Sequence, residues 1–174
     1  MIDKFIPDMY QKSIYSINYQ KLKDDGIKCL LFDLDNTCAA HKVKEPTDKL
    51  INLFEDLKDM DFKLIIYSNN TKKRLEPFKN KLLVDCSANS RKPRKDKFIK
   101  IMKMFNYDLS EVAIIGDQLL TDIYGGNRVG IKTILVNPIS NEDILPSRMG
   151  RIVEKKLMRR LHRRGIFTKG VYYE

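Results

Sequence analysis

Five short, almost uniformly apolar runs punctuate the middle of this chain: Cys29–Asp33, Lys63–Ser68, Leu82–Cys86, Val112–Asp117 and Lys132–Asn137. Longer stretches of helical period separate them. Strands that are apolar on both faces need cover on both faces, and a parallel sheet with crossover helices provides it. The expected fold is therefore α/β, a parallel sheet of Rossmann-like type with helices on both faces. Thr47, after Pro46, is placed to cap a helix whose Leu50, Ile51, Leu53, Phe54 and Leu57 make one apolar face. After Pro93 a second helix runs to about Phe105, with Phe98, Ile101, Met102 and Phe105 inward. A shorter one is expected after Asp117, ending at Gly125-Gly126 or at Gly130.

At 174 residues the chain has the length of one domain and buries a continuous core without metal or disulfide staples. Its order divides into a lead-in segment, 1–27, a core, 28–138, and a basic extension, 139–174, reached through a linker from Asn137 to Ser147 that holds Pro138 and Pro146. The longest apolar runs are four residues, against about 20 for a helix that crosses a bilayer. Residues Met1 to Tyr19 mix charges among their apolar side chains, unlike a signal peptide. Cys29, Cys38 and Cys86 are odd in number and lack C-x-x-C spacing, so they read as free thiols in a reducing compartment. The expected location is cytoplasmic. A formal charge of +10 calls for an acidic partner, whether nucleic acid, an anionic membrane surface or a phosphorylated small molecule.

In open α/β sheets the functional crevice lies beyond the carboxyl ends of the strands, which makes the residues directly after each run informative. The first run leads into Asp33-Leu34-Asp35-Asn36-Thr37, the second into Ser68-Asn69-Asn70, the third towards Lys92-Pro93, and the fourth into Gly116-Asp117 and then Thr121-Asp122. Carboxylates converging on one rim repel unless a cation joins them, and all-oxygen donors suit Mg²⁺. A serine and a lysine beside such an ion would hold phosphoryl oxygens and leave one carboxylate free for in-line attack on phosphorus. Singly, each piece has a plainer reading as a turn, a helix cap, a solvated lysine or a surface acid. Their joint placement at one sheet edge points to phosphoryl transfer. Cys38 and His41 lie near the first motif and are assigned no catalytic role.

These four motifs, over Cys29 to about Asp122, resemble in order and spacing those of the haloacid dehalogenase (HAD) superfamily. The resemblance implies Asp33 as covalent nucleophile and Mg²⁺ ligand, and Asp35 as general acid, then base, with its backbone carbonyl on the metal. It implies that Ser68 and Lys92 bind phosphoryl oxygens, that Asn69 lines the same pocket, that Asp117 is the third protein ligand to Mg²⁺, and that Asp122 ligates it or orients its waters. Neither gap, Thr37 to Ser68 or Asn70 to Lys92, has room for a cap domain, so the site is expected to be capless and open to a bulky substrate.

Within subfamily IIIA the chain is similar to the capless YqeG-type phosphatases, which are related to the mitochondrial phosphatidylglycerophosphatase. The likeness includes Phe5-Ile-Pro-Asp8, Leu22-Lys-Asp-Asp-Gly-Ile27, Arg91-Lys-Pro93 and Gly116-Asp-Gln-Leu-Leu-Thr-Asp122. It implies hydrolysis of phosphatidylglycerophosphate to phosphatidylglycerol, with an anionic phospholipid head group as partner. Two other readings stay open: a phosphatase for nucleic-acid ends or a soluble phosphometabolite, and an RNA- or ribosome-binding protein with vestigial catalysis.

From Arg148 to Lys169 nine Lys/Arg residues face one acid, Glu154, a local charge of +8. As a helix this segment places Val153, Leu157 and Leu161 in a narrow stripe beside Lys155, Lys156, Arg159, Arg160, Arg163 and Arg164. That pattern suits a peripheral helix on the inner face of an anionic membrane, and equally a basic helix docked on its own core.

Overall fold

The computed structural model describes residues 2–140 and 145–174. Six strands, β1 (Met9–Gln11), β2 (Cys29–Phe32), β3 (Lys63–Tyr67), β4 (Asp85–Ser87), β5 (Val112–Gly116) and β6 (Lys132–Val136), form one sheet in the order β1-β6-β5-β2-β3-β4. Every neighbouring pair is parallel. The helices are α1 (Tyr19–Asp24), α2 (Asp48–Asp59), α3 (Lys72–Leu82), α4 (Lys95–Phe105), α5 (Tyr124–Val129) and α6 (Leu145–Arg163). A single π-helical turn, Leu119–Ile123, leads into α5. The α/β layout expected from the apolar runs is the observed one.

Alternation along each strand divides the core between the two faces of the sheet. Leu30 and Phe32, with Leu64, Ile66, Ala113 and Ile115, pack against Leu50, Phe54 and Leu57 of α2 and Leu75, Phe78 and Leu82 of α3. Cys29 and Leu31, with Ile65, Tyr67, Val112 and Ile114, pack against Phe98, Ile101 and Met102 of α4. Burial of each such Leu, Ile or Phe stabilises the fold by roughly 1.5–3 kcal/mol. Thr47 caps α2 as its sequence position suggests, its side chain accepting from the backbone N–H of Leu50.

The structure corrects three expectations, the first because helix periodicity overrides strand-like composition. The run Leu82–Cys86 is not one strand: Leu82 closes α3, Leu83 sits in the left-handed region at φ 51, and β4 begins at Asp85. Leu75, Phe78 and Leu82 recur at helical spacing and share one buried face, so Leu82 is claimed by the helix. Secondly, the lead-in contributes an unforeseen edge strand, β1, whose pairing with β6 puts Tyr10 opposite Leu135. Thirdly, Val153 does not belong to the docked stripe of α6. Val153 is 54% and Ile152 58% exposed, whereas Glu154 and Leu161 are buried and Leu157 and Met158 half-buried. Positions 154, 157, 158 and 161 share one side of a helix, and that side faces Tyr10, Leu119, Ile123 and Leu135. The basic helix is thus docked on the core. Residues 141–144 of the expected linker, and the side chains of Arg148 and Arg151, lie outside the described residues.

The chain ends meet at the β1 edge. Tyr10 and Tyr173 exchange backbone hydrogen bonds of 2.9 and 3.0 Å, so the last residues cover a strand edge that would otherwise be open to association.

Helix α5 crosses the sheet at a glycine: a Cβ on Gly126 would lie 2.6 Å from Thr133 Cγ2 and 2.7 Å from Ile114 Cγ2. Gly126→Ala is expected to lower stability by about 1–3 kcal/mol through this overpacking, read as a lower urea midpoint with an unchanged m value.

Candidate active site

Each strand of the sheet centre ends one residue before a polar side chain of the predicted site. Asp33 follows β2 and is still held by the neighbouring strand, its N–H donating to the Ile115 carbonyl at 2.9 Å. Asp117 follows β5, and Asp122 lies in the π turn. Asp33, Asp117 and Asp122 are all buried, and an oxygen of each lies within 4.8 Å of the others. The Lys92 ammonium enters this cluster, donating to Asp33 Oδ1 at 2.5 Å and to Asp122 Oδ1 at 2.6 Å. Thr37 Oγ1 donates to Asp117 Oδ1 at 3.2 Å.

Lys92 is delivered by a loop fastened to the end of β3. Ser90 N–H donates to the Ser68 carbonyl at 2.9 Å. The Asn69 side chain pairs with the Lys92 backbone in both directions, accepting its N–H at 2.7 Å and donating to its carbonyl at 3.3 Å. Asn69, expected to line the phosphate pocket, is here committed to holding that loop. Ser68 Oγ accepts the Asn70 N–H at 3.1 Å and stays buried beside the cluster's strand ends.

Asp122 depends on a glycine and on the distant tail. A Cβ at Gly116 would lie 2.2 Å from Asp122 Cγ, so only glycine leaves space for that carboxylate behind β5. Asp122 Oδ2 accepts the Gln118 N–H at 3.2 Å. The turn that carries Asp122 has no local side-chain cap. Instead its Leu119 N–H donates to Glu154 Oε1 of α6, 35 residues further along the chain. The one acid between Arg148 and Lys169 therefore caps the turn that presents Asp122, a role for which sequence spacing gives no signal.

Burial pushes the Asp33 carboxyl above the usual range; Lys92 opposes this and Asp122 adds to it. Burial alone would lower the Lys92 ammonium, but Asp122 and Asp33 together hold it above its ordinary value. One ammonium does not neutralise three buried carboxylates. The all-oxygen donor set and its residual negative charge fit a hard divalent cation such as Mg²⁺.

Asp35 has partners of its own. Its Oδ1 accepts Arg74 Nε at 3.1 Å and Nη2 at 2.9 Å, with His41 Nδ1 at 3.4 Å, and its Oδ2 accepts Asn70 Nδ2 at 3.0 Å. Sequence reading passed over Arg74, which looks like one more solvated charge in Lys72-Lys73-Arg74. The available signal was its position: three cations in the first turn of a helix oppose the helix dipole and ask for an acidic partner. Around the site the chain forms only a loop and α2 between β2 and β3, and only α3 between β3 and β4, so the rim is uncapped as expected.

Gly116→Ala is expected to displace Asp122 and weaken binding of Mn²⁺, used as a calorimetric probe, by at least about tenfold. Glu154→Ala leaves the Leu119 N–H without its acceptor and should cost about 1–3 kcal/mol in urea denaturation.

Comparison with known proteins agrees with this geometry. The HAD-hydrolase-like family profile matches residues 89–138. The chain is 37% identical over 161 residues to the "Probable phosphatase YqeG" of Bacillus subtilis, covering 92% of this chain and 94% of that one. It is 28% identical over 171 residues to phosphatidylglycerophosphate phosphatase 1 of Arabidopsis thaliana, covering 92% of this chain and 49% of the longer plant protein. In fold it matches the cobalt-bound deoxy-D-mannose-octulosonate 8-phosphate phosphatase of Haemophilus influenzae, with a TM-score of 0.53 at 14% identity over 86% of this chain and 96% of that one. The chain belongs to the HAD superfamily of hydrolases and, within it, to the family of YqeG phosphatases.

Proposed function

We propose that this phosphatase is Mg²⁺-dependent, works through a phosphoryl group carried on Asp33, and acts on phosphatidylglycerophosphate. The observation that carries the mechanism is the buried cluster of Asp33, Asp117 and Asp122 with Lys92 bridging two of them. In this reading an Asp33 oxygen attacks phosphorus while Asp35 gives its proton to the departing alcohol oxygen. Asp35 then takes a proton from the water that cleaves the acyl phosphate and regenerates Asp33. Ser68 and Lys92 hold the phosphoryl oxygens and offset the charge that builds in the pentacoordinate state. Mg²⁺, held by Asp33, Asp117, Asp122 and the Asp35 carbonyl, would supply further charge neutralisation when bound. Catalysis then resides in residues 28–138, against which Met9, Ile14 and Leu22 of the lead-in and Leu157, Leu161 and Phe167 of the extension are packed.

Three features support a lipid substrate. One is the likeness to the plant phosphatidylglycerophosphate phosphatase over 92% of this chain. The second is the uncapped rim, which admits the end of a bulky molecule. The third is the outer side of α6, where Lys155, Lys156, Arg159, Arg160 and Arg163 are exposed beside exposed Ile152 and Val153, on a helix anchored through Glu154 to the turn that carries Asp122. No helix among the described residues is long and apolar enough to cross a membrane, so the contact proposed is peripheral, at the cytoplasmic face.

Phosphate release from phosphatidylglycerophosphate in mixed micelles, with and without Mg²⁺, tests the reading against a terminally phosphorylated oligonucleotide. Release from the lipid should require Mg²⁺ and fall by more than about 10³-fold in Asp33→Asn, which keeps the side-chain shape but loses the nucleophile. Release from the oligonucleotide alone would move the assignment to nucleic-acid ends. Charge reversal at Arg159, Arg160, Arg163 and Arg164 should weaken binding to phosphatidylglycerol vesicles, at about 1 kcal/mol per residue in contact, and spare hydrolysis of a small soluble phosphate ester.

A further inference from the structure

We propose that Arg74 is a positioning residue for proton transfer: it clamps Asp35 and the loop that bears it, so that the acid meets the leaving oxygen in one fixed place. The inference rests on the reading of Asp35 as proton donor. The guanidinium lies against one side of Asp35, with Nε and Nη2 both directed at Oδ1. Its Nη1 donates to the Val43 carbonyl at 2.5 Å, and Nη2 also reaches the Ala40 carbonyl at 3.4 Å. The guanidinium carbon stands 5.0 Å from the centre of the Phe78 ring, and the side chain is only 15% exposed.

This inventory separates two roles for an arginine at a phosphatase rim. A guanidinium that grips a substrate phosphate keeps its donors free for it. Here the N–H groups on both edges of the group are spent on protein acceptors, and all the acceptors belong to the stretch from Asp35 to Val43. Arg74 therefore ties α3 to the nucleophile loop and orients Asp35, rather than offering a second anion site. The second oxygen of Asp35, Oδ2, accepts Asn70 Nδ2 at 3.0 Å. Lysine at position 74 would keep the charge but not the planar set of donors that holds Asp35, Ala40 and Val43 together.

The test uses two soluble substrates: glycerol phosphate, whose alkoxide must be protonated as it leaves, and p-nitrophenyl phosphate, whose phenolate leaves without help. It reads kcat/KM, which reports the transfer of the phosphoryl group to Asp33. In Arg74→Lys and Arg74→Gln, kcat/KM for glycerol phosphate should fall about 10²-fold, the effect of misplacing a general acid, while that for p-nitrophenyl phosphate falls less than about threefold. On an Asp35→Asn background Arg74→Lys should cause no further loss with glycerol phosphate, because the two residues act as one unit. Equal losses on both substrates, or a further full loss on the Asp35→Asn background, would overturn the positioning role. Asp33→Asn, assayed alongside, reports separately on the underlying mechanism: if it retains turnover, both readings fall, and if it loses turnover while Arg74→Lys affects both substrates alike, only the Arg74 proposal does.

Discussion

The bridge from Lys92 to Asp33 and Asp122 is the interaction on which the site depends. Three carboxylates are drawn out of water at the carboxyl edge of the sheet, and a desolvated charge without a partner is among the most expensive things a fold can contain. The ammonium makes their convergence tolerable, and the loops are arranged to deliver it. Asn69 grips the Lys92 backbone from both sides, Ser90 is tied to Ser68, and Lys92 then lies between the ends of β2 and β5. Structure spent on one lysine in this way is structure spent on the charge balance of three buried carboxylates.

The same economy explains why the basic tail is not an appendage. Helix α6 sets its buried face, Glu154, Leu157, Met158 and Leu161, on the third apolar cluster and places a carboxylate on the Leu119 N–H. The π turn that carries Asp122 is therefore completed from outside. Clasped ends at Tyr10 and Tyr173 add a second tie between the first and last segments of the chain. An outer face rich in lysine and arginine is thus fixed relative to the turn that carries Asp122.

Asp35 and Arg74 form a second charged centre, separate from the first. Two carboxylates only two residues apart in sequence have opposite surroundings: Asp33 faces acids and an ammonium, Asp35 faces a guanidinium, an amide and an imidazole. Alternation along an extended segment would put positions 33 and 35 on the same side, so it is their distant partners, Lys92 for Asp33 and Arg74 with Asn70 for Asp35, that make one short motif furnish two chemically distinct groups.

Much of this was legible in the sequence. The apolar runs implied a doubly covered parallel sheet because strands with no polar face have no other stable home, and the residues after each run named Asp33, Ser68, Lys92, Asp117 and Asp122 because parallel strands expose their carboxyl ends on one side. Periodicity and local caps such as Thr47 depend on neighbours in the chain, and a sequence reports those directly. It assigned Leu82 to a strand where the structure ends a helix, since a short apolar run satisfies either period until a packing partner decides. Only the tertiary structure decided that Met9–Gln11 extends the sheet, that Arg74 clamps Asp35, that Gly116 makes way for Asp122, and that Glu154 caps a turn 35 residues before it. Apart from Gly116 and Asp122, which are six residues apart, these are contacts between segments remote in the chain, and spacing along a sequence carries no record of which distant groups the fold brings together.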